Sequence, residues 1–407
     1  MDARPAHTRG CRGLRRCGMA RTHHSTQEKR GVPIMTSSRM VAHEKEMMTF
    51  SVTDQCNVRC AHCLALCSPK QTTMLTADEM YESYLSIAAT RPVRTVVFTG
   101  GEPTLLGEEL LEAIARISLE GPVTRVVTNA SWATDDDAAN VMVQQLRSAG
   151  LAEINFSMDD YHASWIPPEN VRRAFDASRG QGFEAVVIAL AEGPRSTITR
   201  EWVQHEIAPG VQFVDQRSSR AGAHPPRSAD GTLYEIAHHG YSRVGRARGF
   251  GEEDIVPDES MLAQYCCCAE ILSQPVVDAR LDAGICCGLS VRNNRVLRIG
   301  SLRESTYAEL ADAAQHDVLI RALRFLGPKY LLDVARSIDP RVRMRPEYAG
   351  ICEVCEDVTA SRRALAALDT AKARIALDVA LAERAQQGDD DRILGRDAEL
   401  RTAHAGT

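Results

Sequence analysis

The sequence predicts an α/β protein: an open, six-unit (β/α) partial barrel, followed by a small cysteine-rich domain and a helical tail. Three observations predict it. Strand-like and helix-like runs alternate from residue 48 to residue 215. One of the strands, "EINFSMD" at 153–159, sets Asn155, Ser157 and Asp159 on one face and Ile154, Phe156 and Met158 on the other, which suits a polar lumen backed by helices. Cysteines gather directly after the first strand and again between residues 266 and 355.

The elements follow in order. "MTFSVTD" (48–54) alternates apolar Met48, Phe50 and Val52 with Thr49, Ser51 and Thr53, so it reads as a strand. "TADEMYESYLSIAA" (76–89) is a helix opened by a Thr76–Glu79 capping box. Strand 95–100, helix 108–118, strand 123–129, helix 137–149, the 153–159 strand, helix 168–180, strand 184–190 and a short strand 211–215 complete the series. In such barrels the chemistry sits in the loops after the strands. Residues 216–263 read as an irregular linker, rich at first in Gly, Pro, Ser and Arg. An amphipathic helical stretch covers 305–327, and an Ala/Leu-rich helix covers 360–387, with a loose tail to 407.

Composition narrows the class. Of the 407 residues, 44% are hydrophobic and 25% charged, an ordinary globular balance with ample core for two or three domains. The net charge of −6 gives no global basic footprint for nucleic acid. No apolar run is long enough to span a bilayer. Residues 1–34 are rich in Arg, His and Gly and lack the apolar core of a secretory signal, so 1–47 reads as a basic extension and Cys11 and Cys17 receive no role. Thirteen cysteines, odd in number and clustered, fit a cytoplasmic protein holding metal better than a disulfide framework.

The first cluster, "TDQCNVRCAHCLALCSPK" (53–70), spaces Cys56, Cys60 and Cys63 as CxxxCxxC, with Cys67 four residues on. Positions 56, 60, 63 and 67 also share one helical face, so a buried core stripe is one reading. A Cys3His zinc site using His62 is another. Thiolates at this density suit iron–sulfur ligation best.

"CNVRCAHC" resembles the cluster loop of the radical S-adenosylmethionine superfamily. The resemblance implies that Cys56, Cys60 and Cys63 hold a [4Fe–4S] cluster whose fourth iron stays open to S-adenosylmethionine, with the His62 backbone near the adenine. The second strand ends in "TGGEPTL", and Gly100, Gly101, Glu102 and Pro103 match the family's GGEP motif, which implies that they bind the methionine amino group. "SMDDYH" is similar to the family's ribose-contacting strand end and nominates Ser157 and Asp159. A Ser and an Asp at a strand end also serve as a helix N-cap. The resemblance spans roughly residues 48–215.

"RVGRARGF" (243–250) is similar to a Gly-Arg-Ala segment that precedes auxiliary-cluster domains in this superfamily; a basic surface loop is the alternative. The second cysteine group comprises Cys266, Cys267 and Cys268, then Cys286 and Cys287, then Cys352 and Cys355. It looks like a twitch or SPASM extension over 264–357. That implies one auxiliary [4Fe–4S] cluster, held by Cys268, Cys286, Cys352 and Cys355. The leftover thiols are then spare, as a hydrogen or proton donor or simply buried.

The expected activity is that of a radical S-adenosylmethionine oxidoreductase, drawing electrons from a donor such as flavodoxin or ferredoxin. A peptide or protein is the leading substrate. Alternatives are a radical dehydrogenase of a small molecule and a non-catalytic iron–sulfur electron carrier in which Cys67 closes the first cluster.

Overall fold

The structure, a computed structural model, describes residues 46–215, 227–263, 265 and 267–385. The expectations for 1–45, 216–226, Cys266 and 386–407 lie outside the described residues.

Seven strands carry the barrel sheet: β1 (Met47–Thr53), β2 (Thr95–Gly100), β3 (Val123–Thr128), β4 (Glu153–Met158), β5 (Ala185–Glu192), β6 (Gln212–Asp215) and β7 (Leu233–Gly240). Between the first six lie α1 (Ala77–Ala88), α2 (Glu108–Leu119), α3 (Asp136–Ser148), α4 (Pro168–Ser178) and α5 (Arg200–Glu206). Local chemistry starts these helices, the first of them at the capping box the sequence predicts. Thr76 and Glu79 form the reciprocal capping box of α1, Asp135 caps α3, and Pro168 sits in the first turn of α4. The helix-facing residues Phe50, Phe98, Ile154 and Phe156 are fully buried in one core with Ile114, Ile117 and Phe175.

Two features depart from the expected six-strand series. The 216–263 linker contains β7, which pairs parallel with β5 and with β6 and so lies between them. Its burial breaks the two-residue period, with Leu233, Ile236 and Ala237 buried, and this hides it from a search for alternation. The sheet also continues beyond β1. Strand β8 (Val276–Val277) pairs parallel with β1, and β9 (Asp282–Gly284) and β10 (Arg298–Ser301) follow antiparallel. The ten-stranded order is β10-β9-β8-β1-β2-β3-β4-β5-β7-β6, an unclosed sheet.

A second core, including Ile285, Leu297, Leu323, Leu331, Tyr348 and Val358, organises the C-terminal region. Its helices are α6 (Tyr307–His316), α7 (Val318–Phe325), α8 (Pro328–Ile338), α9 (Ile351–Thr359) and α10 (Arg362–Thr370). The expected helical stretch 305–327 is divided at Asp317, whose extended backbone ends α6 while its carboxylate caps α7. The Ala/Leu-rich helix divides at Ala371, where α10 ends before a second helix over 372–385.

Candidate functional site

The first cysteine loop leaves β1 and packs against the turn after β2. That approach requires glycine. A Cβ on Gly101 would stand 1.7 Å from the Gln55 carbonyl oxygen, and Gly100 has φ +123°. The Gly101 N–H donates to Thr53 O (2.7 Å) and the Glu102 N–H to Gln55 O (2.9 Å). The GGEP turn is therefore the seat of the cysteine loop.

Cys56, Cys60 and Cys67 are buried and pack with Cys63, Val58 and Ile166. Burial pushes the Cys56 thiol up to about 12, and Cys60 and Cys63 add to the shift because thiolates crowded together repel. A hydrogen bond from the Cys67 thiol holds Cys63 below the ordinary thiol value. The same bond, with burial, pushes Cys67 up. Its sulfur also lies 3.6 Å from Ala65 O and 3.8 Å from Thr53 O.

Glu102 is not open to the lumen. It is 1% exposed. Its Oε1 accepts from the hydroxyls of Thr104 and Thr128 (both 2.7 Å), and its Oε2 accepts from the Asn129 N–H (2.8 Å). Burial pushes the carboxyl up, and these hydrogen bonds oppose the shift. The carboxylate thus ties the β2 turn to the end of β3. Pro103 is buried at the start of the short turn Pro103–Leu106.

The lumen side brings together residues from three strand ends. Asp159, 1% exposed, caps a single helical turn by accepting from the N–H groups of Tyr161 and His162 (both 2.9 Å). Its other oxygen lies 2.7 Å from His162 Nδ1 and 3.3 Å from His62 Nε2. Burial disfavours charge on His162, but Asp159 outweighs it and lifts the imidazole to about 10. Against burial, the two histidines hold the Asp159 carboxyl well below its usual range. His62 packs on the rings of Tyr161 (5.2 Å), His162 (4.9 Å) and Tyr241 (5.7 Å). The buried His62 Nδ1 has no hydrogen-bond partner among the described residues. Ser157 is half-buried on the same face of β4 as Asn155.

Asn129 and Tyr241 of this region belong to no motif, and Phe250 closes the 243–250 segment. Asn129 turns its amide toward Cys56 Sγ (3.8 Å) and Asn57 (2.9 Å). Tyr241 and Phe250 reach in from beyond β7 to pack on Tyr161. A polar residue closing the predicted 123–129 strand is the only signal that could have nominated Asn129.

The second cysteine group forms its own centre. A Cβ on Gly288 would stand 3.2 Å from Cys352 Sγ and 3.5 Å from Cys286 Sγ, so these two thiols meet over a glycine. Cys355 is buried; burial, then Cys286, Cys352 and Cys268, push its thiol well up. Burial likewise pushes Cys268 and Cys286 up to about 11 and Cys352 to about 12. The thiols of Cys268, Cys286, Cys352 and Cys355 oppose one another's ionisation, and a bound iron–sulfur core would supply the compensating cation. The Cys287 thiol donates to Gln274 Oε1 (2.7 Å).

A basic segment joins the two centres. The Arg246 guanidinium donates to the carbonyls of Cys60 (2.5 Å) and Cys67 (2.6 Å). Arg243, buried, pairs with Glu353 of α9 (3.1 Å). The "RVGRARGF" stretch is therefore not a free surface loop.

The family model of the Radical SAM superfamily matches residues 50–198. The chain carries a radical SAM domain. Over 132 residues it is 23% identical to YydG of Bacillus subtilis (strain 168), named as a peptide biosynthesis protein, covering 32% of this chain and 41% of that one. Over 156 residues it is 32% identical to the GTP 3',8-cyclase of Aquifex aeolicus (strain VF5), covering 36% of this chain and 45% of the cyclase. The chain thus spans less than half the length of these curated relatives. Among solved structures, BtrN in complex with AdoMet and 2-DOIA aligns at 15% identity and a TM-score of 0.41, covering 70% of this chain and 88% of BtrN. Native anSMEcpe with bound AdoMet aligns at 13% identity and the same TM-score, covering 82% of this chain and 99% of anSMEcpe.

The radical SAM domain contains both the CxxxCxxC loop and the GGEP turn, and the second centre lies C-terminal to it. No helix among the described residues is long and apolar enough to cross a membrane.

Proposed function

We propose that this protein is a radical S-adenosylmethionine enzyme that modifies a peptide or protein by hydrogen abstraction. The seating of the cysteine loop on the GGEP turn carries the reading. Gly101 and Gln55 approach at a distance that no side chain at 101 would permit. Cys56, Cys60 and Cys63 would hold a [4Fe–4S] cluster, and Cys67 would not, since its sulfur faces the backbone carbonyls of Thr53 and Ala65. When bound, the cluster and S-adenosylmethionine supply a 5′-deoxyadenosyl radical that takes a hydrogen atom from the substrate.

The chain's own residues bind and orient. The backbone of Gly100–Glu102 offers close approach to the cosubstrate, while the Glu102 carboxylate keeps that backbone in place from behind. His62, with an orphan Nδ1, and the charged Asp159 form the polar wall, and Ser157 extends it along β4. Cys268, Cys286, Cys352 and Cys355 would hold an auxiliary [4Fe–4S] cluster suited to passing one electron onward. An external one-electron donor such as flavodoxin or ferredoxin is required.

The likeness to YydG favours a peptide substrate. The likeness to GTP 3',8-cyclases keeps a small-molecule reaction as the second reading. Anaerobic reconstitution followed by dithionite and S-adenosylmethionine tests the core of the proposal. Formation of 5′-deoxyadenosine is expected, and its absence from a fully iron-loaded chain would reduce the protein to an electron carrier.

A further inference from the structure

The cysteine loop of the radical SAM domain is held from outside that domain. Arg246 grips it by two carbonyls, those of Cys60 and Cys67, and the Arg246 N–H donates to a third, Cys63 O (3.0 Å). Gly245 makes this possible. It has φ +57°, and a Cβ there would stand 2.6 Å from Leu64 O and 2.8 Å from Cys63 O.

The same segment is tied on its far side to α9. The Gly245 N–H donates to Glu356 (3.2 Å). The Arg243 N–H donates to Glu353 Oε1 (2.5 Å), and its guanidinium pairs with the same carboxylate, at side-chain exposures of 4% and 0%. Glu353 and Glu356 each follow a cysteine of the second centre, Cys352 and Cys355, on one short helix. At the other end of the loop Asp54 is paired with Arg292 and with Arg280 (3.0 Å), both from the C-terminal region.

We infer that residues 243–248 are a strut between the two cysteine centres, and that Arg246 is a positioning residue that fixes the Cys60, Cys63 and Cys67 backbone relative to the helix bearing Cys352 and Cys355. The inference deepens the proposed function and rests on it for the meaning of the first centre. The grip itself belongs to the cluster-free chain. A half-buried forked guanidinium spanning two carbonyls has no equivalent in lysine, whose ammonium is a point charge.

The test uses the full chain, cluster-free and anaerobic, alkylated with N-ethylmaleimide and read cysteine by cysteine by mass spectrometry. Arg246→Leu is expected to speed labelling of Cys60, Cys63 and Cys67 by about tenfold or more, as loss of charge-assisted hydrogen bonds frees the loop. Cys287 should label at the wild-type rate. Arg246→Lys should recover only part of the protection. A second readout uses the chain carrying Cys352→Ala and Cys355→Ala, reconstituted so that only the first centre is loaded. There Arg246→Leu should shift the electron paramagnetic resonance g-values of the reduced cluster while iron content holds. Wild-type labelling of all three loop cysteines in both Arg246 variants overturns the inference. If Arg246→Leu unfolds and every cysteine reacts, Glu356→Gln decides: selective labelling of the loop supports the strut, and wild-type rates overturn it. A chain that takes up no iron overturns the proposed function instead and leaves the labelling result standing.

Discussion

Cys286 and Cys352 lie more than sixty positions apart in the chain, yet their sulfurs meet over Gly288, within 3.5 and 3.2 Å of where its Cβ would stand. The glycine is a clearance for thiols. Gly288→Val should fill it and block metal uptake at the second centre, with total iron falling from about eight to about four per chain. Iron analysis and Mössbauer spectra would read this, and 5′-deoxyadenosine formation should persist. Retention of about eight irons would mean that the clearance is incidental.

The ligand set of the second centre makes a paired prediction. Cys352→Ala with Cys355→Ala should also bring iron to about four. Cys287→Ser should leave it at about eight, because the Cys287 thiol is engaged by Gln274. Loss of iron in Cys287→Ser alone would reassign the ligands.

At the first centre, Cys56→Ala, Cys60→Ala or Cys63→Ala should each abolish 5′-deoxyadenosine formation. Cys67→Ala should retain it. The measurement is product formation by the reconstituted chain, and abolition by Cys67→Ala alone would place the fourth cysteine among the ligands.

Glu102 is expected to act first on stability. Glu102→Ala strands the Thr104 and Thr128 hydroxyls and the Asn129 N–H in a site that is 1% exposed. The cost should be about 2–4 kcal/mol in urea denaturation of the cluster-free chain. A variant of wild-type stability with weakened S-adenosylmethionine binding would instead put the carboxylate on the cosubstrate.

The His162–Asp159 pair gives a pH dependence. His162 titrates near 10 in the fold, against about 6.5 unfolded. A raised value stabilises fully below the unfolded pKa and is lost as pH rises through the folded one. Asp159 is depressed, so its share is present above about 3.9 and lost on acidification. His162→Gln should therefore destabilise the cluster-free chain by about 2 kcal/mol near pH 6 and by progressively less toward pH 10. An equal loss at pH 6 and pH 9.5 would show that the ring acts by packing.

What the sequence made legible was local. The Thr76–Glu79 box, the period-two face of Ile154, Phe156 and Met158, and the CxxxCxxC and GGEP motifs each depend on neighbours a few residues away. Strand β7 escaped because its burial does not alternate. The inward turn of Glu102 escaped because Thr128 and Asn129 lie at the end of another strand, and Thr104, two residues on, is a ubiquitous threonine. The grip of Arg246 was hidden for a deeper reason. Its acceptors are backbone carbonyls, which every residue has, so no residue type marks them.

The pairing of Phe50 with Val277 has a consequence for biosynthesis. The two residues lie roughly 230 positions apart, so at about 5–20 residues per second a nascent chain carries β1 for on the order of tens of seconds before β8 leaves the ribosome. Through that interval one side of β1 is a bare row of amides and carbonyls, open to any strand that arrives first. Translation speed and chaperone occupancy over that window, more than final stability, should then govern the yield of correctly assembled protein. A chain cut short before residue 276 should form inclusion bodies even with every residue of the radical SAM domain intact.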